Sequence, residues 1–250
     1  MKVDKIVLYD EPNVPQINLS SLSNFLKQNL LIDVEIRRNF FEKLDKAVLQ
    51  KIKEAQITDL KKPFEKQDQM TTKEQLSSEQ VLYDGFEVQK IISNHISEND
   101  NKTQNLHIIF TQQLVATFSD EDFRYHARAL ISANPTIIST SGIVEAPAKP
   151  KKYYLDLMTN FSGDSEDSIK MKYKEQFVEY NDPRLAMIVE GYVLQSLIYY
   201  ETGESFCDQN YCRLFNAHWQ EELLSTQVKD RKFCEKHRKI IAKIANRKSN

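Results

Sequence analysis

All three cysteines of this 250-residue chain, and two of its five histidines, fall within one stretch, FCDQNYCRLFNAHWQEELLSTQVKDRKFCEKH, at positions 206–237. Cys207 and Cys212 form one short clip, and Cys234 and His237 form a second, C-x-x-H clip. Thiolate and imidazole are the donors zinc prefers, and a tetrahedral zinc needs four of them. If the two clips share one metal, everything between them must fold so that they meet. The first clip is expected just past a helix end. The second opens the last helix, where positions i and i+3 share a face. A disulfide between two of the thiols would strand the third cysteine beside a histidine. The plainer alternative is buried thiols packing as small hydrophobes. His218, between the clips, reads as a substitute ligand or as a hydrogen-bonding group in NAHWQEE.

The stretches ahead of the clips alternate in period. KIVLYDE (5–11) and IDVEIRR (32–38) read as strands, and NLSSLSNFLKQNL (18–30) and FFEKLDKAVLQKIKEAQI (40–57) as amphipathic helices. This β-α-β-α opening points to an α/β (α+β) fold with a mixed sheet. Residues 58–80 are polar and read as a loop or insertion, and 85–96 as a helix. The stretch 106–118 reads as one or two strands, with further strands over 123–131 and 136–147. AKPKKYY is a linker. From 164 onward the pattern is helical. Pro183 is placed at the first position of a long helix that Gly203 ends, and further helices are expected around 217–227 and 234–246. The expected plan is a sheet-bearing part over 1–150 and a helical, metal-stapled part over 151–250, joined as one integrated domain.

Hydrophobic residues make up 40% and charged residues 28%, the balance of a soluble globular protein. No apolar run approaches the roughly 18 residues of a membrane helix. The N-terminus carries charges inside its apolar stretch and reads as a strand, not a signal peptide. An odd cysteine count with no sign of secretion suggests reduced thiols in the cytoplasm. The net charge of −2 conceals a segregation. Residues 228–250 hold nine Lys/Arg against two Asp/Glu, a net +7, so the remainder carries −9. Such a tail is a solvated face or a surface for nucleic acid or an acidic partner.

C-x4-C-R-L-F followed by F-C-x-x-H resembles the C-terminal zinc-binding segment of archaemetzincins. Those zinc peptidases carry HExxHxxGxxH, then C-x4-C-x-M, about seventeen residues, and C-x-x-C. Cys207, Cys212 and Cys234 match the three leading cysteines of that segment, His237 stands in place of the fourth, and Leu214 takes the methionine position. The text from about 105 onward is similar to an uncharacterised archaeal family described as metallopeptidases. The resemblance implies a metzincin-like sheet, structural zinc and a peptidase ancestry. It departs at the catalytic helix, where the motif's ligand and glutamate positions hold Ser196, Leu197, Tyr200 and Phe206. Only Gly203 matches. A catalytic zinc needs three protein ligands and an open site, so the standard peptidase chemistry is not expected there.

A second candidate site starts from RYHAR. Alternation puts Arg124, His126 and Arg128 on one strand face, a surface suited to an anion or the carboxylate of a peptide. Glu145, His126 and His218 could converge as an acid–base or second metal site of a hydrolase. Otherwise they are surface groups in weak ion pairs. His95 and His107 are expected to be structural, and Glu190 and Glu201 to be surface or capping groups. No Gly-rich phosphate loop or nucleophile elbow is present.

Overall fold

The computed structural model describes residues 2–67, 81–160 and 163–248. The opening alternation gives β1 (Lys5–Tyr9), α1 (Leu19–Leu30), β2 (Asp33–Arg37) and α2 (Lys46–Glu54). Asn18 caps α1 by accepting from the Ser21 N–H, and Asp45 caps α2 by accepting from that of Val48. Asp45 is extended in order to cap, which splits the helix expected over 40–57. Phe40–Lys43 becomes a separate 3-10 turn. Of the polar stretch 58–80, residues 68–80 lie outside the described residues. Residues 58–67 are turns stitched by the Gln67 side chain to Thr58 and Asp59.

The middle of the chain forms β3 (Leu82–Asp84), α3 (Gly85–Ser93), β4 (Asn105–Thr111), β5 (Leu114–Ser119), β6 (Arg124–Arg128), β7 (Leu130–Ile131) and β8 (Thr136–Ser139). The single strand expected over 123–131 is divided between two sheets. The strand expected over 136–147 stops at Ser139, and α4 (Thr140–Glu145) follows. The Ser139 hydroxyl caps α4 through the Gly142 N–H, and Gly142 presses so closely on the Arg128 carbonyl that a Cβ would overlap it. The expected linker also corrects to helix. Pro150 opens α5 (Lys151–Met158), whose Tyr153 packs edge-on against Tyr173 and Phe177. After it come α6 (Glu166–Lys172), α7 (Leu185–Thr202), α8 (Gln220–Leu224), continuous with a π-helical turn over Ser225–Asp230, and α9 (Glu235–Ala245). The α7 helix begins two residues after Pro183. It ends where expected, at Gly203, whose φ of 74° is left-handed.

The main sheet has the order β2-β1-β4-β8-β7, parallel except for β7. Its central strands are buried on both sides, which is why they read as unbroken apolar runs. Ile6, Leu8, Leu106, Ile108, Phe110 and Ile138 point to one face and pack with α1 and α7. Val7, Tyr9, Ile109 and Ile137 point to the other, against Ile52 of α2 and Val88 and Ile92 of α3. A smaller sheet, β3-β5-β6, stands beside it. Apolar residues surround α7 almost completely, with Ile188, Val193, Leu197 and Ile198 wholly buried. Cys207, Cys212 and Cys234 belong to the same core as Leu8 and Ile198, so the clips are built into the body of the molecule.

Candidate metal centre

Gly203 turns the chain out of α7, and the first clip follows at once. Cys207 donates its N–H to the Leu214 carbonyl (2.7 Å), and Cys212 donates to Gln209 (2.9 Å), closing a tight knuckle. The second clip sits on the first turn of α9, where Cys234 is the extended residue preceding the helix and His237 lies one turn in. Backbone and side chains bring the two together. The Arg213 N–H donates to Lys232, and the Gln227 amide donates to the Arg213 carbonyl at 2.6 Å. The Arg213 guanidinium, 2% exposed, is held by Glu190 at 3.0 Å and by the Met187 carbonyl.

The ligand atoms of Cys207, Cys212, Cys234 and His237 lie within 4.8 Å of one another, and all four residues are buried. Cys207 and Cys234 sulfurs are 3.9 Å apart, and His237 Nδ1 stands 3.5 Å from Cys212 Sγ and 3.1 Å from Cys234 Sγ. Tetrahedral zinc with ordinary bond lengths spaces two sulfurs by roughly 3.8 Å and a sulfur and nitrogen by roughly 3.5 Å. The donor set therefore fits the metal in kind and in size. Two backbone N–H groups, of Gln209 and Cys234, point at the Cys207 and Cys212 sulfurs at 3.4 Å, where they would support thiolate charge. Burial pushes the Cys207 thiol up to about 12 and raises that of Cys212. Burial acts upward at Cys234 too. There, hydrogen bonds from the His237 and Lys236 N–H groups and from the other two thiols outweigh it, and the thiol sits below its ordinary value. Burial also lowers the imidazole of His237. Without a cation, burial favours the neutral thiols of Cys207 and Cys212, and a divalent metal reverses that preference by supplying the positive charge.

The helix ahead of the clips has no histidine. Ser196 is buried with its hydroxyl on the Tyr192 carbonyl, Leu197 is core, and the Tyr200 hydroxyl donates to the Thr103 carbonyl. Phe206 packs edge-on against Tyr192. These residues do not fit a catalytic zinc.

The second set of candidates is dispersed among separate partners. His126, on β6 of the smaller sheet, contacts Asp122 at 2.9 Å. Glu145 ends α4 and accepts from the Tyr180 hydroxyl at 3.0 Å. His218 is exposed in the loop before α8, 3.4 Å from the Asn216 amide. Among the described residues, Cys207, Cys212, Cys234 and His237 make the one group of three or more such side chains that could hold a metal. Arg124 lies 3.7 Å from Asp122, and Arg128 donates to the Thr117 hydroxyl at 2.8 Å. Asp122 thus offsets part of the charge that RYHAR presents. His107 is structural, as expected. It is fully buried between the Tyr9 hydroxyl and the Asp100 carbonyl, each at 3.1 Å. The two glutamates of α7 correct the reading of them as surface or capping groups. Glu201 has a side chain 1% exposed, accepts from the Val3 N–H and pairs with Arg247, while Glu190 pairs with Arg213 and Arg231.

Sequence reasoning passed over Glu204, whose carboxylate lies 3.7 Å from His237 Nε2 and 2.6 Å from the Lys236 ammonium. Its place three residues before Cys207 is the only signal the sequence carries. A cleft of about 600 Å3 opens beside the cluster, lined by Glu204, Phe206, Cys207, Cys234 and His237 among others.

A model of the probable metallopeptidase family (DUF6775) matches residues 2–244. No curated protein matches the sequence. Two solved structures are similar at low identity. The archaemetzincin of Methanopyrus kandleri shares 12% identity over 98% of this chain and 97% of its own, with a TM-score of 0.46. A zinc-dependent peptidase from Methanocorpusculum labreanum (strain Z) shares 13% over 95% and 99%, with a TM-score of 0.44. At such scores neither likeness establishes a common fold. No helix among the described residues is long and apolar enough to cross a membrane.

Proposed function

This chain belongs to the probable metallopeptidase family, and from that membership we propose that it is a zinc protein whose metal has a structural role. One zinc, held by Cys207, Cys212, Cys234 and His237, staples α8 and α9 to the end of α7. The supporting observation is the buried convergence of four donors within 4.8 Å, three of them thiols. Four protein ligands complete the tetrahedron and leave no position for a substrate or a reactive water. The helix where the family resemblance places a peptidase motif supplies Ser196, Leu197 and Tyr200, which cannot bind zinc as histidines do. Peptide hydrolysis by the standard route is therefore absent from this reading. Keeping three thiols as metal ligands suits a reducing compartment, and we assign the chain to the cytoplasm on that ground.

Metal analysis of the purified protein tests this directly. The expected result is one zinc per chain, together with no chelator-sensitive cleavage of unstructured peptide substrates. A metal-free protein that is fully folded overturns the structural-zinc reading. Chelator-sensitive peptide cleavage by the pure protein overturns the non-peptidase reading.

A further inference from the structure

His237 has two ring nitrogens, and the fold treats them differently. Nδ1 faces the sulfurs of Cys212 and Cys234, at 3.5 and 3.1 Å. Nε2, on the far edge of the ring, is buried and has no hydrogen-bond partner. The nearest carboxylate oxygen is Glu204 Oε2 at 3.7 Å, a buried atom that the Lys236 ammonium pairs with at 2.6 Å. A buried ring nitrogen without a partner therefore faces a carboxylate oxygen that has capacity for a second donor, a few tenths of an ångström beyond hydrogen-bond reach.

Metal binding would give Nε2 its partner. A neutral imidazole that gives its Nδ1 lone pair to a metal must carry its proton on Nε2, and a carboxylate is the natural acceptor for it. Resting on the zinc reading above, we propose that Glu204 is the outer partner of the zinc-bound histidine. It accepts the Nε2 proton of His237, fixes Nδ1 as the ligand atom and orients the ring toward the three sulfurs. Lys236, one residue before His237, pairs with the carboxylate and offsets its charge. Glu204 follows Gly203, so this bond also ties the end of α7 to α9 through the metal.

The alternative is that Glu204 only pairs with Lys236 at the rim of the cleft. Zinc affinity, measured by competition with a chromophoric chelator, separates the two. Glu204→Ala is expected to weaken zinc binding about 10–100-fold, the usual cost of losing such a partner. Glu204→Gln, which keeps an acceptor oxygen, should recover part of that loss. The control Glu235→Gln should stay near the wild-type value. Long-range proton–nitrogen NMR of the zinc-loaded protein should find the His237 proton on Nε2, and its resonance should shift in Glu204→Ala. Melting curves of the metal-free forms, expected to coincide, exclude a general loss of folding. Wild-type affinity in Glu204→Ala, or a His237 bound through Nε2, overturns this proposal and leaves the zinc centre standing. A wild-type protein that binds no zinc at all overturns both.

Discussion

Replacing Cys234 with serine changes one atom and leaves the shape of the side chain almost untouched. The sulfur it removes is 3.9 Å from that of Cys207 and 3.1 Å from His237 Nδ1, and its thiol is the one held below its ordinary value. Position alone gives the residue part of this character, since it precedes the first turn of α9 and faces that helix's N–H groups. Cys234→Ser is expected to weaken zinc binding by more than the ~100-fold upper cost of losing an outer partner. It should also reduce the helical signal in circular dichroism, because α9 is fastened at this end by the metal. Unchanged metal content would count against the ligand assignment.

At the scale of elements, two glycines set ends that side-chain pattern cannot. Gly203 stops α7 in a left-handed conformation, with its N–H on the Tyr199 carbonyl at 2.7 Å. Gly203→Ala has open space for its methyl group but the wrong backbone preference, so it should cost about 1–2 kcal/mol. Gly142 in α4 has the opposite problem. Its φ is ordinary, yet a methyl would overlap the Arg128 carbonyl, and backbone cannot move aside as a flexible side chain can. Gly142→Ala is therefore expected at or above the upper end of the ~1–3 kcal/mol of overpacking. Urea denaturation of the two variants should rank Gly142→Ala as the more damaging, and the reverse order would mean that α4 is not pressed against β6 as described.

For the molecule as a whole, the metal centre and the sheet carry separate shares of the stability. Chelation of the zinc should open α8, α9 and the knuckle between Cys207 and Leu214 to hydrogen exchange. β1, β4 and β8 lie between helical layers on both faces, and should stay protected. Equal loss of protection across the sheet would show the two parts to be one cooperative unit. Acid should act elsewhere, at the ends of β1 and β2. There Arg37 makes a bidentate pair with Asp100 and also binds Glu35. Its hydrogen bonds hold the Asp100 carboxyl well below its usual value and lower Glu35 from 4.5 to about 2. Because the folded values are the lower ones, the pairs stabilise the fold at neutral pH. The Glu35 contribution falls as pH drops below about 4.5 and is lost as pH passes through about 2, while that of Asp100, held lower, persists to more acid pH. Arg37→Gln should flatten the acid limb of a stability-versus-pH curve between those limits. An unchanged limb would remove this network from the account.

Much of the architecture could be read from local pattern. Strand and helix periods were plain over 5–30 because β1 and α1 bury apolar faces in a continuous core, and the cap residues Asn18 and Asp45 follow local chemistry. The clips were legible for a similar reason, since metal ligation demands particular atoms at short spacings, and the metallopeptidase resemblance they carry agrees with the family match. What failed depended on distant contacts. The stretch 136–147 has the composition of a strand, but Ser139 caps a helix there and Gly142 lets that helix press against the Arg128 carbonyl. AKPKKYY looks like a linker until Tyr153 finds Tyr173 and Phe177. Glu204 and Arg213 were invisible as parts of the centre because nothing in their immediate sequence marks them. Hydrogen bonding between residues far apart in the chain leaves no period, and only packing in three dimensions sets which buried polar atoms face one another.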